Sequence, residues 1–152
     1  MTDSPNIVLI EARFYTEISD QLAEGAIAAI TAVGGTFHRI AVPGILEIPA
    51  ALQFAIEGNG NPSNDKAFDG GVVLGCAIKG ETDHYQHVCT ECLRGTQDVA
   101  LAHAFPVGSG ILTCPSKVLA QARADVNGLN FGGRAVEACL GLIEVRHAMG
   151  VQ

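Results

Sequence analysis

The stretch Gly71-Val72-Val73-Leu74-Gly75-Cys76-Ala77-Ile78, followed by Lys79-Gly80-Glu81-Thr82-Asp83-His84, decides the fold. Its first part is apolar on both faces, as a strand must be when helices cover both sides of a parallel sheet. The second part changes chemistry at once. A cation and a glycine lead into Thr82 or Asp83, either of which can cap a helix running from about Asp83 to Ala104, with Gln86 spaced to close a capping box with Asp83.

The same strand-then-helix pattern repeats outward from this unit. Ile7 to Ala12 is an apolar run broken only by Glu11, and Ile18, Leu22, Ala26, Ile30 and Val33 follow at helical spacing, closed by Gly34-Gly35. Thr36 to Val42 reads as a second strand ending at Pro43-Gly44. Pro49 then falls in the first turn of a helix through Ala50, Leu52, Phe54 and Ile56, where its missing N–H costs nothing. Gly58 to Asp65 is rich in turn residues. Beyond the central unit come a short strand through Gly110 to Thr113, a helix opened by Pro115, an interruption over Asn127 to Gly133, and a last helix from about Arg134 to Met149. The connections are long enough for right-handed crossovers, so the pattern predicts a four-stranded parallel sheet with helices on both faces.

Two stripes of the last helix, Val136, Leu140, Ile143 and Ala135, Cys139, Leu142, make an unusually wide apolar face. Either it is wedged deeply in its own domain or it covers a partner.

Composition narrows the function classes. A chain of 152 residues suits one domain, which at this size buries roughly 68–70% of its unfolded surface. With 48% hydrophobic residues and 16% charged, disorder and nucleic-acid tails fit poorly. A net charge of −7 argues against holding polyanions by bulk attraction, so an anionic ligand needs a local cluster of donors. The apolar run Ile7 to Ile10 is too short for a signal core or a membrane span, which predicts a soluble, cytoplasmic protein. Five cysteines without the spacing of a secreted scaffold suit a reducing compartment.

Three segments fall at strand ends: Arg13-Phe14-Tyr15, Val42 to Pro49, and Gly75 to His84. In open α/β sheets ligands bind beyond the carboxyl ends of the strands, so the three form one candidate site. Phe14 can stack on a flat ring or serve as a core residue. Glu47 can accept hydrogen bonds from a polyol or an amine, or simply favour a helix dipole. The start of the helix at Thr82 can receive a phosphate on its free N–H groups, with Glu81 contributing its backbone, or be an ordinary capped end. Arg123 offers a fork for phosphate, or is a solvated helix-end cation. His84 is the candidate acid/base, because a free imidazole has a pKa of about 6.5; its alternative is a surface histidine. His84, His87, Cys89 and Cys92 fan across more than half a helix and cannot converge on a tetrahedral metal, so Cys89 and Cys92 are expected to pack in the core.

Together with Gly110-Ile111-Leu112-Thr113 and Arg123, these segments resemble the lumazine synthase family, over nearly the whole chain. The resemblance implies a single domain over residues 1–152, a flavodoxin-like three-layer α/β/α sandwich with a four-stranded parallel sheet. It also implies a cofactor-independent transferase of riboflavin biosynthesis. That enzyme condenses 5-amino-6-(D-ribitylamino)uracil with 3,4-dihydroxy-2-butanone 4-phosphate, releasing phosphate and water. By the same resemblance Phe14, Ile45, Leu46, Glu47, Cys76, Ala77 and Ile78 bind the ribityl-uracil, and Glu81, Thr82 and Arg123 hold the phosphate. His84 donates the proton. Ser109 stands where the family often has a phenylalanine from the neighbouring subunit, Leu46 at a commonly aromatic position, and Arg134 near a family lysine. The implied assembly is a homopentamer with active sites between subunits. Riboflavin synthase is a candidate partner; nucleic acid, membrane and metal are not expected. Competing readings are a riboflavin or lumazine carrier on the same scaffold, a shell-building protein, and an unrelated nucleotide module.

Overall fold

In the computed structural model, residues 4–59, 61 and 67–151 are described. Part of the predicted Gly58 to Asp65 loop therefore lies outside the described residues. The chain runs β1 (Asn6–Ala12), α1 (Thr16–Ala32), β2 (Thr36–Val42), a 3-10 turn (Ile45–Glu47), α2 (Ile48–Glu57), β3 (Gly70–Ile78), α3 (His84–Ala102), β4 (Val107–Cys114), α4 (Lys117–Ala124) and α5 (Phe131–Ala148). The four strands are all parallel, in the order β2-β1-β3-β4. Strand order reverses between β1 and β3, the switch point at which flavodoxin-like sheets open a crevice.

Alternation along the strands separates two cores. Ile7, Leu9, Val72 and Leu74 face α1, α4 and α5, packing on Ile18, Leu22 and Val136. Val8, Ile10 and Val73 face the other way, onto Ile48, Leu52 and Cys92 of α2 and α3. A period of two on β1 and β3, with both sets buried, is what makes these central strands read as unbroken apolar runs.

Three elements are bounded differently from the sequence expectation. β4 starts at Val107 rather than Gly110 and ends at Cys114, because pairing with β3 from Gly71↔Val107 to Ile78↔Cys114 holds glycine-rich sequence extended. α5 begins at Phe131, three residues early, capped by Asn130, whose side chain accepts from the Gly133 N–H at 3.2 Å. Pro115 precedes α4 instead of opening it; Ser116 is the N-cap, its hydroxyl accepting from Leu119 N–H at 3.3 Å. On α5, Ala135, Val136, Cys139 and Ile143 are buried within this chain, while Leu142, Val145 and, just past its end, Met149 stay exposed. The wedged reading thus accounts for most of the wide apolar face, and a residual ridge remains.

Among the described residues no helix is long and apolar enough to cross a membrane.

Candidate active site

A crevice of about 400 Å³ opens at the carboxyl edge of the sheet, within the size range of small-molecule sites. The first strand's exit supplies Phe14 and Tyr15, the 3-10 turn supplies Gly44, Ile45, Leu46 and Glu47, and β3 supplies Cys76, Ala77 and Ile78. The start of α3 adds Gly80, Thr82, His84, Tyr85 and Val88. Nine positions singled out from the sequence therefore converge: Phe14, Ile45, Leu46, Glu47, Cys76, Ala77, Ile78, Thr82 and His84. Glu81, Ser109 and Arg123 do not line it.

Register explains why β3 forms the floor. Its ladder with β1 ends at Glu11↔Leu74, whereas its ladder with β4 continues to Ile78↔Cys114. Lys79 N–H donates to Cys114 O at 3.0 Å. Because successive residues of a strand turn their peptide groups to opposite sides, Ala77 also addresses β4, and the peptide groups of Cys76 and Ile78 turn toward the crevice. Gly75 keeps this edge close to its neighbours, since a Cβ there would lie 2.8 Å from Ile45 Cγ2 and 3.1 Å from Ala12 Cβ.

The walls are mostly uncharged. Burial pushes the Cys76 thiol up to about 12, with smaller contributions from Cys114 and Cys89, so it stays protonated at neutral pH. Burial also raises the Tyr85 phenol. Phe14 is 73% exposed, its ring meeting Tyr15 edge-on with centroids 4.9 Å apart. One Glu47 carboxylate oxygen accepts the Gly44 N–H at 3.0 Å, which folds the head group over the loop.

The helix start departs from the predicted capping box. Asp83 occupies the N-cap with φ −76° and ψ −3°, already helical, and its side chain makes no capping bond. An N-cap side chain reaches back to the helix when its backbone is extended, and this one is not. Thr82 serves instead, its Oγ1 accepting from the His84 N–H at 3.3 Å.

Cys89 and Cys92 are both buried in the core beside Ile48 and Leu52, as their spacing suggests. Arg123 folds back on α4, Nη1 donating to Leu119 O at 3.1 Å. Its charge partly opposes the burial that raises the Cys114 thiol. Ser109 is exposed on β4, opposite Val73. Tyr85 and Val88 line the crevice without standing out in the sequence; Val88 lies four residues after His84 and three after Tyr85, spacings that share a helix face, and that is the signal that points to it.

Strand order, crevice and lining together define the class: a flavodoxin-like α/β protein with a small-molecule site at the sheet's switch point. A family model for 6,7-dimethyl-8-ribityllumazine synthase matches residues 4–147. The chain is similar to a 6,7-dimethyl-8-ribityllumazine synthase of Paramagnetospirillum magneticum, at 44% identity over 95% of this chain and 97% of that relative. Similar proteins of the same name occur in Agrobacterium fabrum, at 40% identity over 96% and 97%, and in Bartonella tribocorum, at 39% over 99% and 95%. The chain belongs to the 6,7-dimethyl-8-ribityllumazine synthase family.

Proposed function

We propose that this single domain condenses 5-amino-6-(D-ribitylamino)uracil with 3,4-dihydroxy-2-butanone 4-phosphate in the crevice just described. The observation that carries the reading is that Phe14 and His84, contributed by different strand exits, line one cavity. Phe14 stacks on the pyrimidine. Ile45, Leu46 and Glu47 flank the ribityl-uracil, the peptide groups of Cys76 and Ile78 along the free margin of β3 bond its polar edge, and Ala77 lines the crevice between them. Thr82 and the Glu81 backbone at the start of α3 receive the phosphate, where free N–H groups favour an anion. Arg123 swings from its own helix to complete that site.

The chemistry asks for little more. The amine attacks the ketone and the imine forms with loss of one water; phosphate is eliminated to leave an enol that becomes a second carbonyl, and the ribitylamino nitrogen closes the ring on that carbonyl with loss of a second water. The reacting groups belong to the substrates, so the protein orients them and His84 moves protons. A phosphate site built from Thr82 and Arg123 favours an enzyme over a carrier of unphosphorylated riboflavin.

Assembly completes the proposal: a cytoplasmic homopentamer with each active site between two subunits. Supporting it are the exposed Leu101, Leu142, Val145 and Met149 around a hollow between α3 and α5, and the position of Ser109 outside its own chain's crevice, free to serve a neighbour's. Riboflavin synthase is the partner that would take the product.

Mixing the protein with both substrates should yield lumazine fluorescence and released phosphate in step; neither appearing would end the reading. Arg123→Ala should raise the KM for the phosphate substrate about tenfold, the loss of roughly one charge-assisted hydrogen bond. Equal weakening of both substrates would remove Arg123 from this role.

A further inference from the structure

Glu11 interrupts an otherwise apolar central strand and is 2% exposed. Burying a carboxylate is costly unless it is paired and hydrogen-bonded, and an apolar side chain of similar size often serves stability as well. Glu11 is paired twice over. Arg39 of β2 donates from Nε to Oε2 at 2.7 Å and from Nη2 to Oε1 at 2.8 Å, a bidentate contact, and Arg13 donates from Nη1 to Oε1 at 2.8 Å. The other arm of Arg13 pairs with Asp20 of α1. The link therefore runs from β2 through β1 and Arg13 to α1, and Arg13 is the residue immediately before Phe14.

The placement of Phe14 needs such a device. A ring that is 73% exposed gains little orientation from packing, and its one ring contact among the described residues is the neighbouring Tyr15. Its angle over the crevice must come from the backbone that carries it. That backbone is held by Arg13 N–H donating to Val42 O at 3.4 Å, by Ser19 Oγ on Ala12 O at 3.4 Å, and by the ion pairs of Arg13. Bidentate guanidinium–carboxylate contacts fix orientation as well as distance.

We propose that Glu11, acting through Arg13, is a positioning residue that sets the Phe14 ring for stacking on the pyrimidine substrate. The proposal rests on the stacking role given to Phe14 above. Its test is a cycle of Glu11→Gln, Phe14→Ala and the double variant, with separate KM values for the two substrates. Stacking of a base on an aromatic side chain corresponds to about a 5- to 100-fold effect on binding. Phe14→Ala should raise the pyrimidine KM within that range. Glu11→Gln should raise it roughly fivefold by the same principle, leaving the phosphate substrate's KM within about twofold. The double variant should be no worse than Phe14→Ala alone.

Losses that multiply in the double variant, or KM values that rise equally for both substrates, would overturn the positioning role while leaving the stacking role intact. An unchanged pyrimidine KM in Phe14→Ala would overturn both. Should Glu11→Gln fail to fold, Asp20→Asn tests the exposed end of the same link and should shift the pyrimidine KM in the same direction, again without adding to Phe14→Ala; no shift, or one that adds, would overturn the proposal.

Discussion

Replacing His84 by alanine is expected to lower kcat by about 10²- to 10⁴-fold, the usual contribution of a positioned acid/base, while leaving turnover measurable. His84 opens α3, its N–H bonded to Thr82 Oγ1, and it lines the same crevice as Phe14. On the proposed mechanism, proton transfer is one of two contributions. Holding amine and ketone in line can supply an effective molarity of about 10⁵ M or more, and nothing in that alignment requires imidazole. Steady-state lumazine fluorescence of His84→Ala, with pyrimidine binding measured in parallel, checks the division. Complete inactivity in a folded variant that still binds the pyrimidine would show that proton transfer outweighs orientation.

Gly108→Ala is expected to destabilise the fold by about 3 kcal/mol, the upper end of the overpacking range. Gly108 lies where β4 meets α5, and a Cβ there would overlap the Ala135 carbonyl, with Ala135 C at 2.8 Å and Cys139 N at 3.1 Å. These are main-chain atoms, so no rotamer change relieves the clash. α5 must lift away from the sheet, loosening Cys139 and Ile143, which it presses into the core. At about 2–4 °C per kcal/mol for a chain of this size, the melting temperature should fall by roughly 6–12 °C. Gly141, on the open side of the same helix with nothing within 4 Å of an added methyl, provides the contrast. There alanine should stabilise by about 0.5–1 kcal/mol, through helix propensity. An undisturbed melting temperature in Gly108→Ala would mean that α5 is less tightly seated than its backbone contacts indicate.

The same glycines mark where the fold is hard to read from sequence. Gly108-Ser109-Gly110 has low strand propensity, and Gly132-Gly133 low helix propensity, so the local pattern places β4 late and α5 late. Both segments are glycine-rich because backbones approach there; a Cβ on Gly132 would lie 2.9 Å from the Leu22 carbonyl carbon of α1. That is a tertiary demand, invisible to a window of neighbours. By contrast β2 is legible to the residue, Thr36 to Val42, because Gly34-Gly35 and Pro43-Gly44 punctuate both ends.

The candidate site divides in the same way. Residues at strand exits, from Phe14 to His84, can be placed together because the parallel topology brings every such exit to one edge. Arg123 and Ser109 do not line the crevice, and topology alone does not bring them to it. Glu11 is visible in the sequence only as a blemish in an apolar run; its meaning lies in Arg39, 28 positions away.

The free margin of β3 has a pharmacological consequence. Its donors and acceptors at Cys76 and Ile78 are amide groups, common to every residue type except for the N–H that proline lacks. A small molecule that docked there as an extra strand would therefore bind a target that ordinary point substitutions leave in place, and resistance would have to arise by distorting the sheet itself.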